Sequence, residues 1–156
     1  MTPEERLTLR GLDLPIPPAP VANYVRAVRA GNLVFLSGHG PNQQNGCQWQ
    51  GKVGQELDLE QARAAAESAM LNLLASLKAE IGELSRVQRV VKLLGMVNCA
   101  PDFGAQPQVI NGASDLLVDL FGDRGRHARS AVGMAALPNN IPVEIEMIVE
   151  VEQAFP

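Results

Sequence analysis

Between His127 and Glu152 the chain sets one arginine and a series of glutamates on two stretches spaced like neighbouring β-strands. From Val143 to Glu152 apolar side chains occupy every odd position, and glutamates stand at Glu144, Glu146, Glu150 and Glu152. That period of two predicts a half-buried strand with a core face and a carboxylate face. Upstream, Ala128–Gly133 is a strand of small residues whose only large polar side chain is Arg129. Ala131 and Gly133 share its parity and leave room beside the guanidinium. The fork of N–H donors on an arginine matches a carboxylate bidentately, where a lysine offers only a point charge. By itself an arginine on a strand is more often solvated or paired in an exposed salt bridge worth little, so its surroundings must decide.

The elements that would position these groups follow from local patterns. Leu12–Pro20, with Pro15, Pro17, Pro18 and Pro20, reads as extended chain, and residues 1–20 as an N-terminal leader along the surface. Tyr24–Arg29 and Leu33–Ser37 predict a hairpin turning at Ala30-Gly31-Asn32. Gly38–Gly54 is a polar loop with room for a short strand near Trp49 and for residues at a pocket edge. Asp58, with Gln61 three residues on, opens a helix that Gly82 closes; Ala62, Ala66, Ala69, Leu73 and Leu77 form its buried stripe. Val90–Val97 suits a strand buried on both faces. A second helix is expected from about Phe103 to Phe121, N-capped by Asp102, with Val109, Ala113, Leu116 and Leu120 inward and Pro107 blurring its start. The last two strands are expected to join through Pro138-Asn139-Asn140. The order hairpin, helix, strand, helix, hairpin predicts an α+β domain, with two helices on one face of a mixed sheet.

Composition narrows the function classes. With 156 residues, 46% of them hydrophobic, the chain suits a single domain (1–156) with a sizeable core. No apolar run approaches a membrane span, and Met1–Arg6 lacks a basic segment followed by an apolar one, so a cytoplasmic protein is expected. Cys47 and Cys99 belong to no paired motif and read as two reduced thiols. The net charge of -4 and scattered basic residues argue against nucleic acid as a partner; Arg124, Arg126 and Arg129 are the one basic cluster near the site, with no aromatics interleaved. His39 and His127 lack a third ligand at recognisable spacing, so no metal is expected. Either histidine could titrate in a pocket near neutral pH, or be hydrogen-bonded in the structure.

Ala128-Arg129-Ser130, Leu137-Pro138 and Val143-Glu144-Ile145-Glu146 resemble the C-terminal signature of the Rid (YjgF) family, the reactive-imine deaminases once described as perchloric-acid-soluble ribonucleases. Tyr24–Val28 followed by Gly31–Gly38 resembles the family's first hairpin, and Asp102-Phe103 with Asn111 the region of its second helix. Together these cover most of Tyr24 to Glu152. The resemblance implies the chorismate-mutase-like fold, a homotrimer with sites between subunits, and hydrolysis of a 2-imino acid to a 2-keto acid and ammonia without metal or organic cofactor. It implies Arg129 as the clamp on a small-molecule carboxylate and Glu144 as the group that handles water. Tyr24, Asn111 and the neighbourhood of Gly38, His39 and Ala131 would line the pocket. His39 stands where the deaminase branch usually has Gln, Ala131 where it often has Cys, and His127 where Pro is usual, so the chain resembles a divergent branch.

If the final hairpin turns near Asn139, Arg129 pairs close to Val149, leaving Glu144 about five residues and roughly 17 Å along the strand. One chain would then struggle to unite them, and a cleft between neighbours could. Two readings of different class follow: an imino-acid hydrolase, and a trimeric protein that binds a small carboxylate without turnover. The older endoribonuclease description is a weaker alternative on charge grounds.

Overall fold

The computed structural model describes residues 1–42 and 49–153 of the chain. Residues 43–48, and Cys47 with them, lie outside the described residues, as do 154–156.

Thr2 opens a helix, α1 (Pro3–Leu9), which corrects the expectation of a wholly extended leader over 1–20. The signature is a capping box: the Glu5 N–H donates to the Thr2 hydroxyl at 3.2 Å, and the Thr2 N–H donates to the Glu5 carboxylate at 2.7 Å. Pro3 sits where a helix has no use for its missing N–H. Leu7 anchors α1 in the core, while Arg10 reaches Asp119 at 2.6 Å and Glu67 at 3.2 Å. The extended proline-containing run starts only at Leu12.

Strands β1 (Ala27–Ala30) and β2 (Leu33–His39) form the expected hairpin, with Gly31 at φ 62° in its turn. Tyr24–Arg26 stand outside the strand, a correction to the predicted start, and no strand forms at Trp49. Helix α2 (Leu59–Ile81) has the predicted ends: Asp58 and Gln61 exchange side-chain and backbone hydrogen bonds of 2.8 and 2.9 Å, and the Gly82 N–H donates to the Lys78 carbonyl. Strand β3 (Val87–Asn98) is longer than predicted. Helix α3 (Gln106–Phe121) starts later, because Pro107 belongs to its first turn; Ala105, not Asp102, holds the N-cap position without a side-chain hydrogen bond. Strands β4 (Ala128–Met134) and β5 (Val143–Val151) complete the sheet.

The five strands run in the order β1-β2-β5-β3-β4, antiparallel except that β3 and β4 are parallel. The predicted terminal hairpin is therefore wrong: β4 and β5 do not pair, because β3 lies between them. A helical crossover, α3, joins β3 to β4 and makes that pair parallel. The chain then turns through Pro138–Asn140, with Asn139 and Asn140 both at φ 57°, and returns on the far side of β3.

Helices α2 and α3 cover one sheet face, and every residue of their predicted stripes is buried. On β5 the buried set is Val143, Ile145, Met147, Val149 and Val151, the alternation read from sequence. Gly95 of β3 lets α3 come close: a Cβ there would stand 2.6 Å from Cγ1 of Ile110. The opposite face is open. Along it run the cross-strand rows Val28, Phe35, Ile148 and Lys92, then Glu146, Leu94 and Ser130, then Glu144, Met96 and Val132.

Candidate active site

Arg129 pairs with Leu93, which pairs with Met147; both are buried under the helices, so the arginine projects from edge strand β4 toward α3. There Nη1 donates to Asn111 Oδ1 at 2.8 Å and to Ser114 Oγ at 3.1 Å, and Nη2 donates to the Pro107 carbonyl at 3.3 Å. All three acceptors are neutral. Among the described residues Arg129 makes no ion pair, and its Nε–H and one Nη2 proton are left over. A guanidinium steadied on one side, with donors and charge unspent on the other, suits an arriving carboxylate. Ala131 and Gly133 follow on the same strand face.

Glu144 sits on the open face near the start of the central strand β5. It borders a groove of about 940 Å³ lined also by Tyr24, Ser37, Gly38, His39 and Glu146, and walled by leader residues from Ile16 to Ala22. The carboxylate has no hydrogen-bond or ion-pair partner among the described residues. Partial burial, reinforced by the neighbouring Glu146 charge, pushes its pKa above the usual carboxylate value. Gly38 belongs here for lack of a side chain: an added Cβ would collide with Glu144 Oε1. Tyr24 is exposed at the groove wall, and Arg26 ties the wall down by donating to the Pro18 carbonyl at 3.1 Å.

The His39 ring turns away from the groove. Its Nδ1–H donates to the Ser37 carbonyl at 2.6 Å, leaving Nε2 to accept from Ser76 of α2 at 2.7 Å. Burial, helped by the Arg26 charge, lowers its pKa. His127 is held in the same way, by the Gly125 carbonyl at 2.7 Å and Ser114 Oγ at 2.9 Å; burial, then the Arg129 charge, lowers its pKa. Both rings are hydrogen-bonded structural groups as they stand.

The candidate residues thus form two groups: Tyr24, Gly38, His39 and Glu144 along the groove, and Asn111, Arg129 and Ala131 between β4 and α3. Arg129 lies in register with Met147 rather than Val149, which corrects the expected pairing. It is two strands, about 10 Å, and three residues, about 10 Å, from Glu144. The odd offset also puts the two side chains on opposite faces of the sheet. Ser114 escaped the sequence reading; its signal was its place three residues after Asn111, on the same side of α3. The three arginines read as a cluster do not converge. Arg124 donates to the Val87 carbonyl, Arg126 meets Asp123, and Arg129 meets α3. Cys99 is a free, buried thiol. Among the described residues no group of three His, Cys, Asp or Glu could hold a metal ion, and no helix is long and apolar enough to cross a membrane.

A mixed sheet with helices on one face and a carboxylate-bearing open face defines an α+β protein of the chorismate-mutase-like kind. The chain belongs to the YjgF/chorismate mutase-like family, which it matches over residues 4–151. It is 43% identical over 141 residues to Protein TCP17 of Trypanosoma cruzi, covering 90% of this chain and 88% of that protein. It is 33% identical over 144 residues to the 2-iminobutanoate/2-iminopropanoate deaminase of Dermatophagoides farinae, covering 92% and 97%. The crystal structure of protein Atu1372 from Agrobacterium tumefaciens, of unknown function, matches with a TM-score of 0.88 at 44% identity, over 96% of this chain and 92% of that one.

Proposed function

We propose that the protein hydrolyses small 2-imino acids to 2-keto acids and ammonia, in clefts that pair Arg129 of one copy with Glu144 of the next around a homotrimer. The observation that carries this reading is the Arg129 guanidinium, supported by neutral groups alone and with donors to spare. Its place on an edge strand suits contact with a neighbouring copy, and among the described residues the Glu144 carboxylate in the groove makes no ion pair within one chain.

The chemistry needs little more. A protonated imine is already electrophilic; Arg129 holds the substrate carboxylate, and Glu144 takes a proton from the water that attacks the imine carbon. The resulting carbinolamine loses ammonia as its oxygen gives up a proton, leaving the 2-keto acid. Positioning and proton transfer are the two contributions. A raised Glu144 pKa improves the match between this base and neutral pH.

Release of 2-keto acid from freshly generated 2-aminoacrylate or 2-iminobutanoate tests the proposal. Acceleration by the protein, lost in Arg129→Ala and in Glu144→Gln, is the expected outcome. No acceleration over the uncatalysed reaction removes the deaminase reading. Binding of a 2-keto acid without turnover would then assign a carboxylate-binding role.

A further inference from the structure

Behind the clamp lies a chain of hydrogen bonds whose direction is set from one end. The Gly125 carbonyl can only accept, so the His127 Nδ1 at 2.7 Å carries the proton. With that ring neutral, Nε2 has only a lone pair, and the Ser114 hydroxyl at 2.9 Å must donate to it. The serine proton is then committed, and its oxygen lone pairs face Arg129, whose Nη1 donates to Ser114 Oγ at 3.1 Å. Asn111 Oδ1 takes the other Nη1 proton, and the Pro107 carbonyl one of Nη2. Each link is fixed by the one before it, from a backbone carbonyl to the guanidinium.

We propose that His127 and Ser114 are positioning residues of the carboxylate clamp: the imidazole orients the serine hydroxyl, and the hydroxyl fixes Arg129 with its Nε edge turned to the ligand. The inference rests on the clamp reading of Arg129 and adds two residues that touch no substrate. His127 and Ser114 act as one device, on β4's approach and on α3. A neutral ring supplies the acceptor without a second positive charge beside the guanidinium. Without the ring the hydroxyl can rotate and turn its proton toward Arg129, so the guanidinium loses a fixed acceptor and spreads over more rotamers.

The test uses the full-length protein, with pyruvate as a binding probe and 2-iminobutanoate hydrolysis as the kinetic readout. Ser114→Ala and His127→Phe should each weaken pyruvate binding and raise KM about fivefold, the loss expected of one hydrogen bond, with kcat nearly unchanged. The double variant should lose no more than either single one, since the two residues serve one contact. Ser114→Thr, which keeps the hydroxyl, should restore binding. Long-range proton–nitrogen NMR spectra should show His127 as the Nδ1–H tautomer. Wild-type pyruvate affinity retained in both single variants, additive losses, or an Nε2–H tautomer would overturn the relay. If pyruvate binds through Arg129 and no imine is hydrolysed, the proposed reaction falls and the relay is still decided by affinity. If pyruvate does not bind at all, both fall.

Discussion

Replacing Gly95 by alanine tests how closely α3 must sit on the sheet for this fold to hold. An alanine Cβ would stand 2.6, 2.7 and 2.8 Å from Cγ1, Cδ1 and Cγ2 of Ile110. Comfortable carbon contacts begin at about 3.5 Å. Ile110 is fully buried, so its whole side chain or α3 itself must move. Overpacking of this kind costs about 1–3 kcal/mol, or roughly 2–4 °C of melting temperature per kcal/mol for a chain of this size. Ile110→Ala alone should cost about 2–5 kcal/mol through the cavity it leaves. In that background the three obstructing atoms are gone, and Gly95→Ala should become neutral or stabilising by filling part of the space. Urea denaturation of the four proteins at one fixed concentration measures the coupling, expected at about 1–3 kcal/mol. Additivity within about 0.5 kcal/mol would refute the claim that Gly95 exists for Ile110. Because α3 also carries Asn111 and Ser114, Gly95→Ala should weaken 2-keto acid binding as well.

Gly38→Ala should behave differently: the atoms nearest its Cβ are Cγ, Cδ and Oε1 of Glu144, a half-buried side chain that can swing aside, so turnover should fall about tenfold or more while thermal stability changes little. The acid limb of the pH–rate profile should lie above the ordinary carboxylate range, following the raised pKa of Glu144; a limb at an ordinary glutamate pKa would contradict the burial argument. That same shift opposes folding of the charged form. Its contribution to stability is complete below the unfolded value and lost as pH rises through the folded one, so Glu144→Gln should be the more stable protein at neutral pH by chemical denaturation. The two histidines act with the opposite sign. Their lowered pKa values mean the unfolded chain binds protons first, so stability should fall as pH drops below about 6.5, and His39→Gln or His127→Gln should flatten that dependence.

Much of this was legible where a local rule acts alone. The capping box at Asp58 and Gln61, the stripes of α2 and α3 and the odd-even alternation of β5 depend on neighbours in the chain, and the structure reproduces them. The same kind of signal was present and unread at Thr2, Pro3 and Glu5. Strand order was beyond reach: Ala128–Met134 and Val143–Val151 look like a hairpin because a turn joins them, and only packing places β3 between. The types and spacing of Arg129 and Glu144 suggested carboxylate chemistry, yet Ser114 and the held rings of His39 and His127 come from contacts between distant segments. Parity alone already implied opposite faces for Arg129 and Glu144, since any pairing with an odd-numbered residue of β5 separates them.

Under the proposed trimer, that separation should turn two inactivated proteins into a source of active ones. An Arg129→Ala chain retains Glu144, and a Glu144→Gln chain retains Arg129; if subunits exchange around the proposed ring, a cleft that draws its arginine from the second and its glutamate from the first should be whole. Random mixing in equal amounts should then restore about a quarter of the clefts. A site contained within a single chain would recover none, whatever the mixture.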